Sequence, residues 1–196
     1  AATLDAALAK LGVKAALSWS LADGGLPARA EAYRYTLGKA EYVGLVGAET
    51  NTATPQPDLI LRLPERRFVY DARSGQLLGN LDQVKLAVPA GGARFLSLLP
   101  YRVEGIDVKC EAEGSQLRVL ADVRCDTQPT DHVLHLELTP PEQSKPEVAY
   151  TQNLLAAAGH LDASLPLALN DPRGEWKVTL RDVATGTTAT GSFRLQ

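Results

Sequence analysis

Few residues in this chain could do chemistry, and their spacing decides what most of them do. There are three histidines and two cysteines. His132 and His135 stand three apart in a stretch that alternates like a strand, which turns them to opposite faces. A shared metal is therefore disfavoured. His160 is remote in sequence, and all three histidines are expected in structural or surface roles. Cys110 and Cys125 lack C-x-x-C spacing and have no histidines at zinc-finger intervals. A hairpin turning at Glu113–Gln116 would set them several residues out of register, so two reduced, partly buried thiols are expected.

Nucleophilic chemistry has no foothold either. There is no Gly-x-Ser-x-Gly elbow, and no cysteine is followed by a recognisable His and Asn arrangement. Paired carboxylates are the remaining route, since glycoside hydrolysis needs two of them about 5–9.5 Å apart. Asp58, Asp71, Asp82, Asp162, Asp171 and Asp182 are available, but most fall in turn sequences, where Asp accepts from backbone N–H groups. No Walker or dinucleotide phosphate loop occurs, and Gly24-Gly25 and Gly91-Gly92 read as turn glycines. The sequence thus assigns no catalytic residue, no cofactor and no metal, and the chain alone is not expected to be an enzyme.

The one binding signal is aromatic. Tyr33 and Tyr35 share a face of one strand and Tyr42 lies in the next, so the three could form a platform that stacks on sugar rings. The competing expectation is that they pack against the N-terminal helix and Trp19 at an interdomain seam.

Composition bounds the setting. With 45% hydrophobic and 22% charged positions, the 196 residues are too apolar to be disordered. Lys plus Arg number 20 against 23 Asp plus Glu, a net charge of −3 that leaves no cationic excess for nucleic acid. No run of about 18 apolar residues is present to span a bilayer, and the opening residues lack the basic start and apolar core of a signal peptide. A chain of this size buries roughly 70% of its unfolded surface and needs no disulfide or metal to hold it. It contains no Met, even at position 1, so a processed product or excised piece is expected.

The elements that must position these groups are almost all strands. Leu4, Ala7, Leu8 and Leu11 line one face of an opening helix, with Thr3 as cap, Asp5 at its positive end and Gly12 as stop. The period then changes to two over Val13–Leu21. Residues 1–29 accordingly read as a helix–strand junction to an upstream α/β domain. Strands are expected at Glu31–Leu37, Glu41–Val46, Asp58–Leu63, Arg67–Ala72, Gln83–Val88 and Ala93–Leu99, making 30–100 an antiparallel β-sandwich or small barrel. Ala48–Pro57 reads as a longer exposed loop. Further strands at Arg102–Lys109, Gln116–Arg124, His132–Thr139, Leu161–Leu169, Glu175–Val183 and Thr187–Leu195 resemble an immunoglobulin-like sandwich over 101–196. The fold class expected is mainly β: two consecutive antiparallel β-sandwich domains, the second Ig-like, preceded by a short helix–strand remnant. Asp71-Ala72-Arg73-Ser74-Gly75 and Asp182-Val183-Ala184-Thr185-Gly186 share one turn pattern, with Asp as acceptor and Gly supplying positive φ.

Three stretches together carry a family resemblance. They are Arg67 to Gly79, Phe95-Leu96-Ser97-Leu98-Leu99-Pro100-Tyr101, and Leu167 to Trp176 with its continuation Arg181 to Gly186. In these the chain resembles the C-terminal β-region of large bacterial proteins related to family 42 glycoside hydrolases, the β-galactosidase type. In such proteins a catalytic barrel is followed by an α/β domain and then by β-sandwiches. The resemblance implies that the catalytic glutamates lie on the barrel and that this chain inherits none.

The function expected is that of a non-catalytic accessory C-terminal region of a larger carbohydrate-active or cell-envelope protein. Its partners would be upstream domains of the same polypeptide and polysaccharide, with no nucleic acid and no membrane span. One alternative is a carbohydrate-binding module using Tyr33, Tyr35 and Tyr42. The other is an adhesion module that adds a partner strand to an edge of the second sandwich. Proteins of this class point to an extracellular, periplasmic or envelope location.

Overall fold

The computed structural model describes residues 7–8, 10–12, 17–25, 30–48 and 58–196. Among them the chain is mainly β, and every strand pairing is antiparallel. The first six strands are β1 (Ser18–Leu21), β2 (Ala30–Leu37), β3 (Ala40–Gly47), β4 (Leu59–Asp71), β5 (Gln76–Leu86) and β6 (Ala93–Leu99). They form one sheet in the order β1-β4-β6-β3-β2, with β5 also paired to β4.

β4 organises this sheet. Its first half pairs with β1 through Leu59–Arg62, its second half pairs with β6 through Phe68–Asp71, and β5 accompanies both. Between the halves, Leu63 to Arg66 stand opposite Asp82 alone. The sequence reading divides the strand here because Pro64 cannot donate to a ladder. A bulge asks no ladder bond of it, so the strand bends and continues. The bend brings Leu59, Leu61 and Leu63 into one buried cluster with Val43, Leu45, Val69, Val84, Leu96 and Leu98. β5 likewise begins at Gln76 rather than Gln83, because the extra residue Leu78, beside Gly79 (φ +141), is absorbed as a bulge and the ladder continues.

At the N-terminus, Thr3, Leu4 and Asp5 of the expected helix lie outside the described residues. The N–H of Leu11 donates to the carbonyls of Ala7 (3.3 Å) and Leu8 (3.0 Å), and Gly12 follows with φ +73. Val13–Ala16 of the expected strand also lie outside, and its remainder is β1. Of the expected loop Ala48–Pro57, only Ala48 is described.

The remaining strands are β7 (Val103–Glu113), β8 (Gln116–Cys125), β9 (His132–Thr139), β10 (Gln152–Ala156), β11 (His160–Pro166), β12 (Gly174–Asp182) and β13 (Thr188–Leu195). They split into a three-stranded sheet, β11-β8-β7, and a four-stranded one, β10-β9-β12-β13. The alternation in the sequence gives the inward residues directly: Leu117, Val119, Ala121 and Val123 on β8, and Trp176, Val178 and Leu180 on β12, are all buried. Each such side chain contributes about 1.5–3 kcal/mol of burial, less for Ala121. The Trp176 indole N–H donates to the Pro172 carbonyl (2.9 Å) while its ring stacks on Phe193. β10 escaped the sequence reading because Gln-Asn-Leu-Leu-Ala has neither alternation nor β-branched residues. Its pairing with β9 is a tertiary effect.

The two strand sets share a seam. Ala40, Tyr70 and Leu99 of the first sheet belong to the buried cluster of the second set. The Tyr70 hydroxyl accepts from the N–H of Val103 (3.3 Å), and the Thr130 hydroxyl accepts from that of Lys39 (3.3 Å). The two similar turns meet here back to back. In each, the glycine N–H donates to the aspartate carbonyl (2.8 Å) at φ +72. A Cβ on Gly186 would lie 2.6 Å from the Gly75 Cα, and one on Gly75 would lie 2.9 Å from the Gly186 Cα. Gly186→Ala combines a left-handed backbone with a backbone collision, and the expected loss is about 2–4 kcal/mol, read as a lower urea midpoint.

Candidate functional site

Cross-strand partners in an antiparallel pair share a face. Tyr35 stands opposite Tyr42, Tyr33 opposite Gly44, Gly44 opposite Phe95, and Ser97 opposite both Tyr42 and Tyr70. One face of the β2-β3-β6-β4 sheet is therefore aromatic, while Val43, Leu45, Leu96 and Leu98 bury the other. The aromatic face is divided. Its inner half, with Tyr70 and Ser97, is buried at the seam, and burial, with the Asp182 carboxylate second, pushes the half-buried Tyr42 phenol up to about 12. Its outer half is open: Tyr33 is 46% exposed, Tyr35 60% and Phe95 42%.

Sequence reasoning thus placed two of three residues on the open platform. Tyr33 and Tyr35 are there, and Tyr42 serves the seam. Phe95 takes its place, on the third strand from the edge and missed because its neighbourhood with Tyr33 runs through an intervening strand. Strand spacings put Tyr33 about 7 Å from Tyr35 along β2 and about 10 Å from Phe95 across β3. Gly44 forms the floor between them, with the Phe95 ring lying over it: a Cβ there would touch Phe95 Cε1 at 3.4 Å. Polar groups are interleaved with the rings. The Tyr33 hydroxyl donates to the Glu31 carboxylate, which raises the phenol pKa. The Arg73 guanidinium carbon sits 5.4 Å from the Phe95 ring centroid. Tyr33 also borders a groove with Leu17, Trp19, Ala32, Arg34 and Leu61 on the other side of β2.

The conspicuous acid–base group lies at the seam, against the covered half of this face. The N–H of Thr130 donates to the Tyr101 hydroxyl (2.9 Å), which lies 2.9 Å from His132 Nε2. His132 Nδ1 lies 3.0 Å from Asp182 Oδ1, and the Thr185 hydroxyl donates to Asp182 Oδ2 (2.6 Å). Tyr101, His132, Asp182 and Thr185 are all buried, so the relay is closed to solvent. Its work is to satisfy a carboxylate that the turn leading to Gly186 requires.

The other candidates are also engaged. His135, on the same strand as His132 but the opposite face, bonds Asn153, and His160 on β11 bonds Asp122. Asp58 pairs with Lys85, Asp82 with Arg66 and Asp162 with Arg118, whose bonds hold the Asp162 carboxyl below its usual range. Asp171 accepts from the Tyr150 hydroxyl and from the N–H of Ala168. Desolvation would raise the Asp71 pKa, but the N–H groups of Ser74 and Arg73 outweigh it and lower the value. Among the described residues no three His, Cys, Asp or Glu side chains could hold one metal ion, and no helix is long and apolar enough to cross a membrane. Cys110 stands opposite Val119 and Cys125 opposite Val103, and both are free thiols.

No protein-family model matches the chain, and no curated protein sequence does. Among solved structures, the chain is similar to the chicken interferon gamma receptor alpha chain at TM-score 0.28 and 7% identity, over 86% of this chain and 97% of that one. It is similar to Ruminococcus gnavus beta-glucuronidase, in complex with uronic isofagomine, at TM-score 0.30 and 9% identity, over 93% of this chain and 44% of that one. At these scores neither alignment establishes a common fold.

Two measurements follow from the relay and the thiols. His132→Phe leaves Asp182 buried without its nitrogen partner, and the expected loss on urea unfolding is about 3–5 kcal/mol. Burial pushes the thiol pKa of Cys110 to about 11 and of Cys125 to about 12. Alkylation of the native protein near neutral pH is therefore expected to be much slower than in urea, where both thiols regain ordinary acidity. Equal rates in the two conditions would contradict the burial.

Proposed function

We propose that this chain is a non-catalytic accessory region of a larger carbohydrate-active or cell-envelope protein, built from two β-sandwich domains, the second Ig-like. The seam fixes their geometry, and the outer aromatic face binds carbohydrate. The observation that carries this reading is the division of one sheet face into a buried half and an open half. The open half presents Tyr33, Tyr35 and Phe95 around a glycine floor, with Glu31 at the Tyr33 hydroxyl and Arg73 over Phe95. Sugar rings bind by laying an apolar face on an aromatic ring while flanking groups take their hydroxyls, and that mixture is present here. The three-plus-four strand split supports the Ig-like description. It departs from the constant-type arrangement in that the fourth strand, β10, joins the sheet of the third.

The test is electrophoresis of the whole chain in native gels cast with different soluble polysaccharides. Retardation is expected with at least one. Each of Tyr33→Ala, Tyr35→Ala and Phe95→Ala should weaken it about tenfold, roughly 1.4 kcal/mol, while Tyr42→Phe leaves it unchanged. Unretarded migration in every gel would overturn the binding role.

A further inference from the structure

We propose that the glycan held on this face is acidic, carrying uronate carboxylates, and that Arg73 is the residue that selects it. This deepens the carbohydrate reading above and rests on it. Arg73 is exposed, and its guanidinium lies against Phe95 at the open end of the platform. Among the described residues, the ion pairs leave that guanidinium without a carboxylate. Asp71, two residues before Arg73, is engaged elsewhere. Its carboxylate accepts from the N–H groups of Arg73 and Ser74 (3.0 Å each) and lies 3.5 Å from Arg94. Glu31, the acidic group on the same face, is held by the Tyr33 hydroxyl two strands away from Phe95.

The base of Arg73 is also fixed. Its N–H is held by Asp71, and the N–H of the preceding Ala72 donates to the Phe95 carbonyl (2.8 Å). The turn closes at Gly75 against Gly186. A guanidinium lying over an aromatic ring, with no carboxylate of its own, suits a planar carboxylate, which its donors can take two at a time while the sugar ring lies toward Tyr33 and Tyr35. Fixing the backbone beneath the side chain removes part of the ordering cost of binding. A neutral hexose would offer only hydroxyls to these donors.

The experiment compares two ligands of equal length: a cello-oligosaccharide, and the same oligosaccharide oxidised to glucuronate at every primary alcohol. Titration calorimetry with the whole chain is expected to find the uronate form bound about tenfold more tightly at low salt, with the advantage shrinking as salt is added. Arg73→Gln should bring the two affinities together. Tyr35→Ala should weaken both alike. Equal affinities in the native chain, or a uronate preference that survives Arg73→Gln, would overturn the selection and leave carbohydrate binding standing. Binding of neither oligosaccharide would count against both readings.

Discussion

Contact between two glycines is the constraint on which the rest of this molecule leans. Gly75 and Gly186 end turns of the same design in different halves of the chain, and neither has room for a side chain against the other. Close approach at that point lets Tyr70, Leu99 and Ala40 enter the cluster built around Trp176. The same turns carry the polar groups of the seam. Asp182 gathers Thr185 and His132, and Asp71 orders the backbone of Arg73 and Ser74. A buried carboxylate is tolerable because its acceptor capacity is filled from several sides, and Tyr101 in turn fills the second nitrogen of His132.

The aromatic face shows one surface put to two uses by where the neighbour stops. Tyr42 and Tyr35 are partners across a ladder, alike in chemistry and a strand apart. One is covered and loses its acidity to burial, and the other stands in solvent. Nothing in the side chains distinguishes them. The reach of the second strand set does, and that quantity is fixed only when the turns have met.

The sequence was most informative where a single period governs a strand. Alternation in Gln116–Arg124 and Glu175–Val183 identified the buried residues one by one, and the spacing of His132 and His135 put them on opposite faces. It was less informative where one residue type has two structural uses. The ladder runs on past Pro64 and past Gly79 through bulges, because punctuation by Pro or Gly does not say whether the partner strand continues. β10 carries almost no local signal. The likeness of the two turns was visible in sequence, but their contact spans more than a hundred residues, and no local pattern encodes a distance of that kind. Phe95 was hidden for a related reason: its neighbourhood with Tyr33 runs through β3 and depends on strand order.

The bend at Pro64 and the long reach of the seam also bear on how the chain assembles. The first sheet can complete its own cluster from residues up to Leu98, whereas Tyr70 and Leu99 must wait for β12 and the turn that follows it. On a ribosome delivering the N-terminal side first, the inner aromatic half-face would emerge as open apolar surface and stay so until the last strands are made. Contacts so distant along the chain are slow to form. The same tyrosines that later lie under cover are thus, during synthesis, a surface for chaperones to guard.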